Sequence, residues 1–399
     1  MAWLTAGEAL AALGIRQQTL YANVSRGRIR AKPDPKDPRR SLYDSSDVKR
    51  LAGRHSGRRS AAAVAAETIG WGEPVLTSSI STVVEGRLFY RGRDAVELAE
   101  AATLEEVAGL LWEVEKVRFD MSILEVSAAS PLQAALIVLS QRAAVYPPSY
   151  GRARAVLAEE AAVLVGAVAS AMLGRKTSAP DPLHRRMALA WRARRAEDVI
   201  RRALVLLADH ELNASTFATR VAVSTGASLS AGLLAGLATL SGPLHGGAVA
   251  SARALIAAAE RADPAAAARA GLARGQPLPA FGHPLYPNGD PRAAALFACF
   301  APRSIFAETR AAVEALTGEA PNVDFALAAL ADAFDLPEAA PFTLFSVARS
   351  VGWIAHAIEQ ATSGVLIRPR ARYVGPPVLP RAGGEDEYAK HGGGGLRRL

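Results

Sequence analysis

The sequence predicts a mainly α-helical body preceded by a small, basic, winged helix-turn-helix module. Three observations carry that prediction. Beyond about residue 94, Ala- and Leu-rich stretches with helical spacing are separated by Gly, Pro and Asp. At 399 residues, 50% of them hydrophobic, the chain is long enough for two or three domains and a large buried core. The excess positive charge lies at one end: residues 1–60 hold 13 Lys and Arg against 5 Asp and Glu, and the remainder is balanced.

Taken in order, Thr5-Ala-Gly-Glu8 has capping-box spacing and opens the apolar stretch Ala9-Leu-Ala-Ala-Leu13, which stops at Gly14. A second short helix is expected from Gln17 through Leu20 and Tyr21 to about Ser25, ended by Gly27. Arg26, Arg28, Arg30 and Lys32, a Pro/Asp-rich turn, Arg39-Arg40 and Tyr43 suit a basic hairpin wing. Ser45-Ser46-Asp47 then opens a last short helix, Val48 to Leu51. Over residues 1–55 this pattern resembles the MerR/excisionase-type winged helix modules, and the resemblance implies DNA as a partner. Gln17, Gln18, Thr19 and Tyr21 would face the groove, with Arg39 and Arg40 on phosphate. The competing reading is a solvated or oligomerising helical domain.

Residues 56–68, Ser-Gly-Arg-Arg-Ser followed by Ala-rich sequence, read as a linker. The alternating stretch from Ser78 to Gly92 predicts a hairpin turning at Gly86. Helices follow to about residue 378, and the Gly- and Arg-rich residues 379–399 read as a disordered tail. The lone Cys299 excludes an internal disulfide and a cysteine metal site. No uninterrupted apolar run reaches the roughly 18 residues of a membrane span, and the N-terminus lacks an apolar signal core. The expectation is a soluble, cytoplasmic protein with no membrane partner.

Chemistry concentrates in four short segments: Asp209-His210-Glu211, Ser241-Gly-Pro-Leu-His245-Gly-Gly, Phe281-Gly-His283-Pro and Asn322-Val-Asp324. Beside Gly or Pro, a turn or helix end can expose a side chain. Three imidazoles and a carboxylate suit a reaction that takes a proton from carbon while protonating or polarising a carbonyl. His356 and Glu359 have metal-like i, i+3 spacing, but no second cluster accompanies them, so no metal is expected and packing is the reading for His356.

These segments, with Gly86-Arg-Leu-Phe-Tyr-Arg-Gly92, Asp290-Pro-Arg292 and Ile367-Arg-Pro-Arg370, resemble the citrate synthase family over residues 69–378. The resemblance implies a dimer of two-domain helical subunits, the small domain spanning about 248–345 and inserted in the large one. It implies condensation of an acyl-CoA with a 2-oxo acid such as oxaloacetate, giving citrate or 2-methylcitrate, with no tightly bound cofactor. Asp324 then matches the base, His245 the group that hydrogen-bonds the thioester oxygen, and His283 the group that polarises the oxo-acid carbonyl. His210, Arg292 and Arg349 match oxo-acid ligands, and Arg368 the arginine donated by the partner subunit. Before Gly246-Gly247 at an expected helix N-terminus, His245 would be a neutral donor.

Three features depart from the family. Pro284 and Pro287 stand where family members commonly carry cations for the CoA phosphates, with Arg274 as a candidate substitute. Leu111–Pro180 reads as short and helix-poor. The N-terminal module is an addition, which keeps open a second function: a metabolite-sensing, DNA-binding transcription regulator built on the same fold.

Overall fold

A computed structural model describes residues 3–13, 20, 23–24, 29–34, 37–48, 76–120, 126–174, 181–273, 278, 280–371 and 373–376. The chain divides into two compact units, one of residues 1–75 with 369–399 and one of residues 76–368. Gln17, Gln18, Thr19 and Tyr21, the linker 56–68, Arg274 and the tail 379–399 lie outside the described residues.

The first unit opens on the strand Trp3–Leu4 and the helix Ala6–Leu13. Its predicted capping box forms: the Thr5 amide donates to Glu8 Oε2 at 2.7 Å, and the Glu8 amide returns to Thr5 Oγ1 at 3.4 Å. Ala31–Asp34 pairs antiparallel with Asp37–Asp44, which also pairs with Trp3–Leu4. Arg39 and Arg40 lie on that central strand. Ala9, Leu13, Leu20, Ile29, Tyr43 and Val48 form a small separate core. Asp44 caps the helical turn at 45–48 by accepting from the Ser46 and Asp47 amides.

The second unit begins with the expected hairpin, Ser81–Val84 against Arg87–Tyr90. Glu85 and Gly86 both take positive φ (51° and 73°), the two-residue turn whose twist matches a hairpin. Arg93–Asp94 adds a third strand, and Asp94 caps the helix Ala95–Ala101. The buried Tyr90 hydroxyl donates to the Val205 carbonyl at 3.0 Å, which ties the hairpin to the chain just ahead of Asp209-His210.

The remainder is helical: Leu104–Trp112, Pro131–Val145, Arg154–Leu173, Leu183–Ala190, Glu197–Leu207, Ala214–Ser224, Leu229–Leu240, then Ala248–Arg261 through Val323–Ala333, and finally Ala340–Ser363. The helix-poor reading of Leu111–Pro180 is therefore overturned, since it contains helices of 15 and 20 residues. Arg154–Leu173 is apolar on most of its circumference because it packs on both Pro131–Val145 and Ala340–Ser363. Such a helix lacks the polar stripe that would reveal it in sequence. By length and composition it could cross a membrane, but 61% of its most apolar window is buried inside the protein, as in a core helix.

The helix Ala340–Ser363 is the spine of the large core. Its Gly352 is required by close approach: a Cβ there would sit 2.2 Å from Asp209 Oδ1 and 2.4 Å from the Ala208 carbonyl oxygen. The Gly352 amide donates to that carbonyl at 3.0 Å, so the spine docks directly on the loop that carries His210. A second core gathers Val249, Ile256, Phe281, Phe306 and Phe325 between the helices from Ala248 onward.

Candidate active site

His210, His245, His283 and Asp324 are each presented by a helix end or a tight turn, whereas Arg349 projects from the middle of Ala340–Ser363. His210 follows the helix Glu197–Leu207, in a loop where Glu211 is forced to φ 51°. His245 lies between Leu229–Leu240 and Ala248–Arg261, and His283 is two residues before Leu285, whose amide donates to His283 Nδ1 at 3.1 Å. Asp324 sits in the first turn of Val323–Ala333, its amide held by the capping Asn322 Oδ1 at 3.0 Å.

Two cross-links join these pieces. Asn322 Nδ2 donates to the Gly282 carbonyl at 3.2 Å, fastening the Asp324 helix to the His283 turn. Asp290 accepts from Arg292 Nε and Nη2 at 2.9 and 2.8 Å and from the Val323 amide at 2.9 Å. The ring of His210 meets that of His283 edge-on at 5.1 Å, and His210 Nε2 lies 2.8 Å from the Tyr286 hydroxyl. His245 Nε2 lies 2.8 Å from Ser215 Oγ, which accepts from Trp353 Nε1 at 3.1 Å and donates to Asn213 Oδ1 at 2.7 Å.

Burial and two guanidiniums determine the protonation states. His245 is pushed down to about 4 by burial, then by Arg349. His283 is pushed down to about 4 by burial and Arg292, with Asp290 opposing. Burial, Arg292 and Arg349 hold His210 well below the ordinary imidazole value. The Asp324 carboxyl goes the other way, raised to about 6 by burial, while Arg292 and Arg349 oppose and Asp290 reinforces. At neutral pH this is one carboxylate among three neutral imidazoles. Burial and the Arg349 charge thus keep His245 neutral, at a position just ahead of the helix Ala248–Arg261. For His283, the amide on Nδ1 places the ring proton on Nε2.

Arg292 and Arg349 are both buried, at 3% and 1% exposure. Arg349 donates Nε to the Leu207 carbonyl and keeps Nη2 buried with no hydrogen-bond partner among the described residues, as a site awaiting an anion would. Arg292 has its Nε and one Nη engaged by Asp290, so only its end-on edge can meet another carboxylate. Arg368 is apart from this cluster, exposed on the segment after Ala340–Ser363 and making no hydrogen bond or ion pair among the described residues. His356 is fully buried with Nε2 3.2 Å from Asp209 Oδ2, a packing role, and Glu359 instead pairs with Arg220. A cavity of about 330 Å³ lined by Arg253, Glu260, Arg303, Asp332 and Asp335 shares no residue with the cluster, and its Arg303 is already paired to Glu260 and Asp332.

The sequence reading passed over Tyr286, Ser215 and Trp353 as functional positions. Tyr286 had one visible signal, its place one turn after His283 in the run that ends at Arg292. Trp353 had none, because it reaches Ser215 across 138 residues of chain.

Together the fold and the cluster define a helical enzyme that works by acid–base chemistry beside fixed cations. The family model for the citrate synthase C-terminal domain matches residues 69–118 and 114–370. Citrate synthase 2 of Bacillus subtilis (strain 168) is 31% identical over 351 residues, 75% of this chain and 93% of that protein. The 2-methylcitrate synthase of Mycobacterium tuberculosis is 30% identical over 361 residues, 77% of this chain and 91% of that one. A ternary complex of carboxymethyl coenzyme A and oxaloacetate with the citrate synthase of Thermoplasma acidophilum shares the fold, with TM-score 0.64 and 24% identity over 77% of this chain and 96% of that one. The chain belongs to the citrate synthase family and is a citrate synthase-like enzyme.

Proposed function

We propose that the protein condenses an acyl-CoA, with an acetyl or propionyl group, with oxaloacetate, giving citrate or 2-methylcitrate and free CoA. The observation that carries this reading is one carboxylate with a raised pKa among three imidazoles held neutral beside two buried arginines. A proton next to a thioester is a very weak acid, so base and hydrogen-bond donor act together. Asp324 takes the methyl proton while His245 donates to the thioester oxygen, and the enol forms. The enol carbon attacks the oxaloacetate carbonyl, polarised by His283 Nε2–H, and that proton passes to the new alkoxide. Water then cleaves the thioester and releases the CoA thiol. His210, Arg292 and Arg349 hold the oxo acid, Arg349 through its unpaired Nη2. Arg368, exposed and without a hydrogen bond or ion pair among the described residues, suits donation to the site of a partner in a homodimer. Pro284 and Pro287 are exposed on the turn beside His283, so the CoA phosphates are held by other groups.

Release of CoA thiol from acetyl-CoA and propionyl-CoA with oxaloacetate tests the reading, with Asp324→Ala as control. Turnover by the parent, lost in the variant, is expected. The same assay gives a pH signature: kcat/KM falls as pH drops through about 6, where Asp324 becomes protonated, with no histidine limb above pH 5. Absence of thiol release with either donor, in protein that binds oxaloacetate, would refute the synthase and favour the metabolite sensor.

We also propose that residues 1–55 form a winged helix-turn-helix that binds DNA, supported by the local positive charge, the capped first helix and the basic hairpin. Arg39→Ala with Arg40→Ala should reduce the slope of log affinity against log salt for duplex DNA by about 2, since each phosphate contact contributes about 0.9. An unchanged slope, or no affinity in the parent, removes this reading.

A further inference from the structure

We infer that Tyr286 is a positioning residue for the oxo acid: its hydroxyl donates to His210 Nε2 and thereby places the His210 ring proton on Nδ1. The inference rests on the oxo-acid role proposed for His210. Tyr286 is 2% exposed, and His210 Nε2, at 2.8 Å, is the hydrogen-bond partner of its hydroxyl among the described residues. A neutral imidazole has one donor and one acceptor nitrogen, while a phenol has one proton to give. Were His210 to donate through Nε2, the phenol proton would be buried without an acceptor, and Nδ1 would be a lone pair. A lone pair there would repel the oxygens of an oxo acid. With the phenol donating, His210 offers Nδ1–H, and both buried groups are satisfied.

The same ring touches the other oxo-acid groups. Its centroid lies 5.0 Å from that of His283, and the Arg292 guanidinium carbon lies 5.2 Å from it. The backbone holds the ring there: the Tyr286 amide donates to the His283 carbonyl at 2.8 Å, and the Gly289 amide to the Tyr286 carbonyl at 3.0 Å. Pro284 and Pro287 flank it and restrict φ on both sides. One ten-residue segment, the turn from His283 and the start of the helix Pro291–Phe297, thus carries His283, the residue that orients His210, and Arg292. Burial also keeps the phenol protonated, raising it to about 12 against the nearby Arg292 charge.

The test is Tyr286→Phe, which keeps the ring and removes the proton, beside Tyr286→Leu, which removes both. Nitrogen chemical shifts of histidine-labelled, unliganded protein report the His210 tautomer. Calorimetry reports oxaloacetate affinity. The expected result for Tyr286→Phe is a His210 no longer held as Nδ1–H, with oxaloacetate about tenfold weaker and KM raised more than kcat is lowered, as loss of one buried hydrogen bond implies. A Phe variant with the parent tautomer and affinity, and a Leu variant that fails, would reduce Tyr286 to packing and overturn the inference. The tautomer needs no turnover, so it separates this outcome from failure of the synthase reading. A parent protein that ignores oxaloacetate would refute the role of His210 itself.

Discussion

Asp324→Asn is expected to lower kcat by about 10²–10⁴-fold and, at pH 8, to make the folded protein more stable by about 1–3 kcal/mol. Both effects have one origin. Burial raises the carboxyl to about 6 from its ordinary value of 3.8, so above pH 6 the folded state carries a charge it would rather not hold. Arg292 and Arg349 only partly compensate. The range stays below the full conversion because Asp324 retains some solvent contact. Asn keeps the shape without the charge. The sign follows from linkage: between about pH 4 and 6 the folded protein binds more protons at this site than the unfolded chain, so parent stability falls as pH rises. The advantage of the Asn variant should therefore be full above about pH 6 and absent below about pH 4. Urea unfolding of both proteins at pH 4 and pH 8 measures it. A variant no more stable than the parent at pH 8 would mean that Asp324 is already solvated, and its role as a poised base would lose its physical support.

Asp290→Ala should be the most damaging change to stability, costing about 3–5 kcal/mol, because it strands the buried Arg292 charge. Asp290 is 4% exposed and takes hydrogen bonds from the Arg292 amide, from Arg292 Nε and Nη2, and from the Val323 amide. Burial disfavours charge at both groups, yet Arg292 holds the Asp290 carboxyl below its ordinary value, and Asp290 in turn raises Arg292. The loss should therefore be of pairing, not of the carboxylate alone. Asp290→Ala combined with Arg292→Leu should be less destabilised than Asp290→Ala by itself, a coupling that urea unfolding of the three variants reads directly. A loss under about 1 kcal/mol for the single variant would show that water reaches Arg292 freely, contrary to its 3% exposure. The same variant should loosen Asp324, since the Val323 amide at the start of its helix loses its acceptor.

The local elements were legible because their causes are local. The Thr5 and Glu8 capping box and the turn at Gly86 each depend on residues within three positions of one another. Arg154–Leu173 was not legible, because a helix buried on most sides carries no alternation of polar and apolar faces. His245, His283 and Asp324 could be picked out by type and neighbours, whereas Trp353, 138 residues from the Ser215 it supports, could not.

Protonation divides the two sources most sharply. The chain alone specified which residue types stand at the ends of which helices, and from those types the general kind of chemistry. It could not specify charge states. Whether His245 is neutral depends first on how much water the packed helices exclude and then on Arg349, 104 positions away in sequence. Those quantities vary with distance through space and with burial, so they came into being only when the spine helix docked Gly352 onto the His210 loop and brought Arg349 into the site.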